Sequence, residues 1–312
     1  MTERPMREGI MEKDLKIDDF KAIRRWSDGK IYSPSLRNVS LECGRILPLL
    51  YFPELEAGGM FRTGFTTRIG GFSRGCCASM NISYDQCDDP WDVDRNVKLA
   101  AEAMGSSPSK MVYTEQQHTT NVRVVTEHDA GRGTVRPRVW ESVDGLVTNV
   151  PGLVLTAFGS DCTTLYFVDP EHKAIGLSHA GWRGTVAGMA EKTLLMMKQE
   201  YGTDPKDVLA AVGPSICRSC YEIGQDVADE VRRLQPNFAD EVLDDYPDNK
   251  FRLDLHMLNK LIMERAGVPA DHIFVTDICT RCNPELLFSH RIMGSQRGNN
   301  AAMLMLVPED KK

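Results

Sequence analysis

The sequence predicts an α/β (α+β) fold, a layered sandwich built around a mixed sheet. Short apolar runs typical of buried strands occur along the chain, and amphipathic segments with helical spacing lie among them. The two kinds of segment do not alternate strictly, which disfavours a purely parallel sheet. No Pro-, Gly- or Ser-rich linker divides the 312 residues, so we expect a single domain.

The individual elements are predicted from apolar spacing and from the residues that end each run. The predicted strands are the start of 61–75, which runs into a Gly-rich loop, and 121–127, 152–160, 164–170, 173–179, 207–213, 272–278 and 301–307. The predicted helices are 92–105, 184–201, 222–234 and 254–267, the last with Asp254 as N-cap. Residues 128–141 and the acidic span 236–250 are predicted loops. Residues 1–45 are polar and irregular and are predicted to be a variable extension, with 46–312 as the catalytic domain.

Composition excludes several functional classes. The net charge of −7 gives no electrostatic footprint for nucleic acid. The N-terminus lacks the apolar run of a signal peptide, and no window approaches the ~18 apolar residues of a membrane span. We therefore expect a cytoplasmic protein with no membrane partner. Its nine cysteines are then expected to be thiols or metal ligands rather than disulfides.

Two histidines and one cysteine are the candidate metal ligands. His118 precedes a predicted strand, Cys162 lies between two predicted strands, and His179 ends another. Two imidazoles and one thiolate suit zinc, and three protein ligands leave one position open, as in catalytic sites. The alternative is that they are ordinary buried residues, because their wide separation in sequence is not a local ligand spacing.

Other polar side chains are candidates for proton transfer or anion binding. Asp161 precedes Cys162 and either orients a ligand or is only a turn residue. Arg183 lies between glycines at the start of a predicted helix, where anions bind. The segment TTRIGGFSRG, which contains Arg68 and Ser73, is a second candidate anion loop or an ordinary Gly-Gly turn. Glu222 opens a predicted helix, where a carboxylate is favourable whatever its function.

Two C-x-x-C pairs form a further candidate metal or redox site. They are Cys217 with Cys220 and Cys279 with Cys282. The separation between the pairs is much longer than the ~15–20 residues of a usual four-cysteine zinc ribbon, although a folded domain can close it.

Several motifs together resemble a known family. They are QQH at 116–118, DGLVTNVPGLVLTAFGSDC, SHAGWRGTVAG, VGPSICRSCYEIGQDV and the late FSHR. These segments resemble the YfiH-type family, first called multicopper polyphenol oxidoreductases or laccase-domain proteins and now viewed as zinc-dependent purine nucleoside phosphorylases. The resemblance runs from about Phe52 to Val307. It implies an α/β/β/α sandwich with mixed sheets.

The resemblance also implies roles for individual residues. The family's metal ligands match His118, Cys162 and His179. Arg183 would then lie beside the substrate, and the Arg68 loop would contribute to a phosphate or substrate site, together with Ser73 and Asn81. Asp161, Arg183 and Glu222 are the expected catalytic residues. Cys220 matches a position that is often Cys in the family, whereas Cys217 and Cys282 do not.

The sequence departs from the family pattern at a few positions. Thr164 replaces a Pro after the Asp-Cys pair, and Thr119 replaces a Gly after the ligand histidine. The C-terminal segment reads SHRI at 289–292 and QRG at 296–298, where the family commonly has S-Y-R-R and T-G-R. None of these changes removes a predicted ligand.

The resemblance implies a purine nucleoside phosphorylase with adenosine deaminase and methylthioadenosine phosphorylase activity. Its partners would be small molecules, namely purine nucleosides and phosphate, and its assembly a monomer or homodimer. Three alternatives remain at this stage: a copper-dependent polyphenol oxidase of laccase type, an amidase of peptidoglycan precursors, and a non-catalytic module stabilised by metal at the C-x-x-C pairs. The oxidase is disfavoured because the chain has no second ligand cluster of the H-x-H kind.

Overall fold

The protein is described by a computed structural model that covers residues 14–22 and 34–309. The strands of this part are β1 (Ser35–Ser40), β2 (Ile46–Tyr51), β3 (Phe61–Thr66), β4 (Met111–Tyr113), β5 (Val122–Val124), β6 (Gly145–Thr148), β7 (Val154–Phe158), β8 (Thr163–Asp169), β9 (Ala174–Ala180), β10 (Leu209–Val212), β11 (Glu222–Ile223), β12 (Leu243–Tyr246), β13 (Lys250–Leu253), β14 (Ile273–Val275) and β15 (Ala301–Leu306). The α-helices are α1 (Pro53–Glu56), α2 (Pro90–Ala103), α3 (Trp182–Val186), α4 (Met189–Tyr201), α5 (Gln225–Leu234), α6 (Ala239–Val242), α7 (Leu255–Arg265) and α8 (His290–Met293).

Two six-stranded mixed sheets form the centre of the molecule. The first has the strand order β1-β2-β3-β15-β7-β4 and is antiparallel except for the β4–β7 pair. The second has the order β14-β10-β8-β9-β6-β5, with parallel pairs at both edges. A small third sheet, β11-β13-β12, lies apart from them. The mixed sheets confirm the fold class predicted from the sequence.

The two large sheets pack face to face over one apolar core. Side chains such as Phe65 and Leu155 from the first sheet meet Leu146 and Leu177 from the second, and all four are almost completely buried. The Tyr166 hydroxyl crosses this core and donates to the Gly64 carbonyl at 2.9 Å. Alternate residues of each strand point to the opposite face, so each sheet needs a second cover.

Helices supply that second cover on both outer faces. The apolar face of α2, including Val93 and Val97, packs on the outer side of the first sheet. Leu194 of α4 and Leu258 of α7 pack on the outer side of the second sheet. The result is the α/β/β/α layering that the family resemblance implies. In the described part of the chain, no helix combines the length and apolar character needed to cross a membrane.

Three local expectations were wrong. The predicted helix 184–201 is two helices, because Gly188 adopts a left-handed φ of +80° between α3 and α4. Glu222 lies in β11, and the helix begins only at Gln225. The predicted acidic loop contains α6 and β12, which form because Val242 and Leu253 are buried and β12 pairs with β13. Pairing with a distant strand is not visible in a polar local sequence.

Part of the predicted N-terminal extension joins the main fold. Strand β1 pairs with β2 over its whole length, from Ser35 opposite Tyr51 to Ser40 opposite Ile46. Leu15 and Phe20 are also buried, in the core between the sheets. The domain boundary after residue 45 stays a prediction. Residues 1–13 and 23–33 of the predicted extension lie outside the part of the chain that the structure describes.

We expect Tyr166→Phe to lower the free energy of unfolding by about 1–2 kcal/mol, because the buried Gly64 carbonyl loses its cross-sheet donor. Tyr246→Phe is the matched control, since Tyr246 is 36% exposed, and it should change stability by less than about 0.5 kcal/mol. Urea denaturation measures both variants. Equal stability of the two variants would contradict a role for the cross-sheet bond.

Candidate metal centre

The second sheet brings three strand ends together at one edge. Strand β8 starts directly after Cys162, and its antiparallel partner β9 ends with His179 and Ala180, with Thr163 opposite Ala180. Strand β6 starts directly after Asp144 and pairs with β9 so that Gly145 faces Ser178. The ladder register therefore places Cys162, His179 and Asp144 side by side.

The third predicted ligand comes from the loop between β4 and β5. His118 adopts a left-handed φ of 61°, which is uncommon for a residue other than Gly and turns its ring toward the sheet edge. Its Nε2 lies 3.7 Å from the Cys162 Sγ, and its ring centroid lies 4.9 Å from that of His179. One ligand atom from each of the three side chains lies within 4.8 Å of the others. The structure thus brings all three predicted ligands together.

Asp144 joins the loop to the sheet edge. Its buried carboxylate accepts backbone N–H bonds from Gln117, His118 and Thr119 at 3.0–3.1 Å. It also accepts from the His179 Nδ1 at 2.8 Å, while the His179 backbone N–H donates to the Asp144 carbonyl. Because Nδ1 carries the proton, Nε2 of His179 is left as the metal-binding nitrogen.

The electrostatics of the cluster favour a thiolate. Burial raises the pKa of Cys162, but the nearby His179 and His118 rings outweigh it and lower the pKa to about 6. Burial likewise lowers the pKa of His179, but Cys162 and Asp144 outweigh it and raise the pKa to about 9. A thiolate beside two imidazoles is the form of Cys that binds metals.

Gly181 is required by the close approach of the ligands. A Cβ built at this position lies 2.7 Å from the His118 Cδ2 and 3.0 Å from the Cys162 Sγ. Any larger residue would therefore push two of the three ligands apart. This contact explains why a glycine directly follows Ala180 in the HAGWRG segment.

The donor set fits a zinc ion. Zinc bonds of about 2.1 Å to nitrogen and 2.3 Å to sulfur place tetrahedral N and S ligands about 3.6 Å apart, close to the 3.7 Å between His118 and Cys162. The carboxylate on His179 is the partner that zinc-bound histidines usually have. Copper accepts the same ligands, so the donor types alone do not select between the two metals.

Two cavities meet at His118 and Cys162, and His179 lines the first of them. A cavity of about 340 Å³ is lined mainly by polar groups, including Gln116, Asn299 and Arg297. A second cavity of about 280 Å³ is more apolar and includes Trp182 and Tyr221. His118, Cys162, Ser160 and Arg297 line both. A small molecule in either cavity would contact the metal-binding group.

The predicted catalytic residues differ in position. Asp161 and Arg183 line the second cavity, and the Arg183 guanidinium stacks on Trp182 at 4.3 Å. Glu222 does not line either cavity. It pairs with Lys250 at 2.5 Å, and this hydrogen bond lowers the pKa of Glu222.

Both carboxylate oxygens of Asp161 accept hydrogen bonds. Thr280 donates at 2.5 Å to one oxygen, and Ser289 and the Arg291 backbone N–H donate to the other at 3.0 and 2.6 Å. The residue has a left-handed φ of 89° directly before Cys162. These contacts fix the turn that presents the thiolate.

The predicted phosphate-binding residues do not line the cavities. Neither cavity is lined by Arg68, Ser73 or Asn81, all of which are within the described residues. The Arg68 guanidinium donates to the carbonyls of Ala78 and Pro284 instead. Asn81 accepts from the Asn299 backbone N–H and so supports a cavity residue indirectly.

Sequence reasoning missed two residues of the site. Asp144 stands directly before a strand in the DGLVTN segment, but only strand pairing shows that it faces His179. Arg297 belongs to the QRG segment and is partly buried near Cys162, and desolvation lowers its pKa. Its Nη1 donates to the Gly298 carbonyl and the Asn299 Oδ1, and the residue lines both cavities, so a positive charge lies at the site.

We expect Gly181→Ala to lose most bound metal while the fold is retained, because the new Cβ overlaps the His118 ring and the Cys162 sulfur. Metal per chain, measured by inductively coupled plasma mass spectrometry, and circular dichroism test this. Gly224→Ala is the matched control, since its Cβ meets only the movable Asp226 carboxylate. Wild-type metal affinity in Gly181→Ala would refute the close packing of the ligands.

We expect Asp144→Asn to weaken metal binding by about 10–100-fold, because an amide has only one acceptor oxygen. The two carboxylate oxygens are both used: one accepts from His118 and His179, and the other accepts from the backbone N–H groups of Gln117 and Thr119. Competition against a chelator measures the affinity. The control is Asp169→Asn, which changes a buried carboxylate bonded to His172 at the far end of β8. Similar metal affinities in the two variants would be inconsistent with the role of Asp144.

Comparison with known proteins places the chain in a family. A family model described as multi-copper polyphenol oxidoreductase laccase matches residues 62–307. Purine nucleoside phosphorylase YlmD of Geobacillus stearothermophilus is 35% identical over 78% of this chain and 88% of that protein. Adenosine deaminase RL5, from an unknown prokaryotic organism, is 32% identical over 75% and 89%.

A solved structure supports the same assignment. The crystal structure of the Bacillus licheniformis hypothetical protein YfiH has a TM-score of 0.79 and 31% identity, over 83% of this chain and 96% of that chain. The family match over residues 62–307 includes every residue of the candidate metal centre. The chain belongs to the multi-copper polyphenol oxidoreductase laccase family.

Proposed function

We propose that this protein is a zinc-dependent purine nucleoside phosphorylase that also deaminates adenosine and cleaves methylthioadenosine. The observation that carries the proposal is the convergence of His118, Cys162 and His179 where two cavities meet. The names of the relatives, a purine nucleoside phosphorylase and an adenosine deaminase, support the same substrate class.

The shape of the site suits a nucleoside and an anion together. The second cavity offers Trp182 and Tyr221 for the flat purine base, since aromatic rings stack on bases. Arg297 lines both cavities, and a guanidinium can hold phosphate by a fork of hydrogen bonds. Arg183, which lines the second cavity, is the second cation available to the anion.

Phosphorolysis exchanges one bond at the anomeric carbon of the nucleoside for another. A phosphate oxygen forms a bond to the anomeric carbon as the bond from that carbon to the purine nitrogen breaks, and the bonding pair leaves with the base. Arg297 would orient the nucleophile, and the aromatic wall would orient the base. When bound, zinc supplies Lewis-acid chemistry at this junction.

Asp161 and Glu222 are the two residues predicted to transfer protons. Asp161 lies beside Cys162, and its carboxylate is fixed by Thr280, Ser289 and the Arg291 backbone, so we assign it a positioning role for the thiolate. Glu222 as a proton-transfer group stays a prediction. The phosphate-binding roles of Arg68, Ser73 and Asn81 stay predictions as well.

Product analysis tests the proposed function directly. Purified protein is incubated with adenosine, inosine, guanosine or methylthioadenosine, with and without phosphate, and products are identified by mass. We expect free base only with phosphate, together with ribose 1-phosphate or, from methylthioadenosine, methylthioribose 1-phosphate. We also expect inosine from adenosine without phosphate, and no product from His179→Ala. Absence of every product from metal-loaded wild type would reject the proposal.

We expect Arg297→Gln to raise the KM for phosphate about 10–100-fold, because a charge-assisted hydrogen bond of about 1.5–3 kcal/mol is lost. The phosphate-independent deamination of adenosine should change much less. Arg232→Gln on the exposed face of α5 is the control for loss of a positive charge. Parallel loss of both reactions in Arg297→Gln would argue for a structural role instead.

The family description makes copper-dependent phenol oxidation the second function to test. The same two imidazoles and one thiolate can hold copper. Oxygen uptake with a phenol, measured on copper-loaded protein beside the nucleoside assay on zinc-loaded protein, separates the two functions. Activity only in the copper arm would favour the oxidase.

A further inference from the structure

The fold brings the two C-x-x-C pairs together at one edge of the second sheet. Cys217 and Cys220 lie in the segment after β10, and Cys279 and Cys282 lie in the segment after β14. Strands β10 and β14 are parallel neighbours, so both segments leave the sheet at the same edge. The four Sγ atoms lie within 4.8 Å of one another.

The arrangement of the sulfurs matches one tetrahedral ion. Four sulfurs bonded to zinc at about 2.3 Å lie about 3.8 Å apart in a tetrahedron. The Sγ atoms of Cys220 and Cys282 are 3.5 Å apart. This separation is far beyond the bond length of about 2.05 Å in a disulfide. An iron–sulfur cluster has to spread its four cysteines around several metal atoms, which this compact group does not do.

A backbone N–H group and a positive charge lie beside the sulfurs. The Cys217 backbone N–H donates to the Cys279 Sγ at 3.3 Å. The Arg281 guanidinium lies near the Cys220 sulfur and adds positive charge beside the cluster. Hydrogen bonds of this kind orient metal-bound thiolates and compensate their negative charge.

We propose that Cys217, Cys220, Cys279 and Cys282 bind a second zinc ion with a structural role. Four protein sulfurs complete the coordination of zinc and leave no open position for a substrate. Cys217 and Cys279 are buried, while Cys220 and Cys282 are partly exposed, so an ion can enter from one side. The proposal does not depend on the reaction at the His118 group.

The ion would hold together two segments, of which the first lines the second cavity and the second contacts Asp161. Ile216 and Tyr221 of the first segment line that cavity. Asp161 is held from both sides, by the Ile216 backbone N–H on its carbonyl and by Thr280 on its carboxylate. The Thr280 N–H also bonds to the Ser215 carbonyl. A metal at the four cysteines therefore fixes the position of Asp161 beside Cys162.

Zinc content of matched variants tests the proposal. In protein purified under reducing conditions without a metal-binding tag, we expect two zinc ions per chain. His179→Ala should keep one, and the double variant Cys220→Ser, Cys282→Ser should keep the other. The combined variant should hold none. The control, Cys43→Ser with Cys87→Ser, changes two exposed thiols elsewhere and should keep both ions.

A spectroscopic measurement covers the case in which the cysteine variants fail to fold. X-ray absorption at the zinc edge of His179→Ala should show only sulfur neighbours, at about 2.3 Å. Either of two results overturns the proposal: His179→Ala that holds no zinc, or zinc bound by nitrogen and oxygen. An intact mass lowered by four hydrogens would instead identify two disulfides and also overturn it. None of these readouts depends on nucleoside turnover.

Discussion

The metal centre depends on the hydrogen bonds that the Asp144 carboxylate accepts. One buried anion accepts three backbone N–H bonds from the His118 loop and a fourth bond from the His179 ring. A buried carboxylate is stable only when its lone pairs are satisfied, and here the partners are the groups that must be positioned. The charge that costs free energy to bury therefore sets the geometry of two ligands at once.

The two-sheet architecture explains why such a group can exist without local ligand spacing. The register between β8 and β9 places Cys162 next to His179, and Gln116 ties the ligand loop to the first sheet through the Phe158 backbone. The ligands thus come from elements that are held independently by a dry core. The first cavity is lined by residues at strand ends of both sheets, such as Phe158 of β7 and His179 of β9.

The second sheet carries two sulfur-containing groups along one edge. The first, His118, Cys162 and His179, has three protein ligands and lines the cavities. The second has four cysteine sulfurs, and Thr280, which follows Cys279, donates to Asp161. This division corresponds to the difference between an open metal site, where chemistry can occur, and a closed one, which holds segments in place. The chemistry would then rest on the first group, and the second would keep the Asp161 turn and the Tyr221 wall fixed.

The sequence alone predicted the layered class, about half of the strands, the helix over 254–267 and the three candidate metal ligands, the last because the HAGWRG and Asp-Cys segments resemble a family. It did not predict the break at Gly188 or the strands β1 and β12, because these depend on a left-handed residue and on partners distant in sequence.

Only the tertiary structure decided which polar residues belong to the site. It placed Asp144 and Arg297 in the site, and it placed Arg68 among backbone carbonyls. It also closed the long gap between the two C-x-x-C pairs. The physical reason is the same in each case: residue type fixes what a side chain can bind, whereas strand register and core packing fix what it meets.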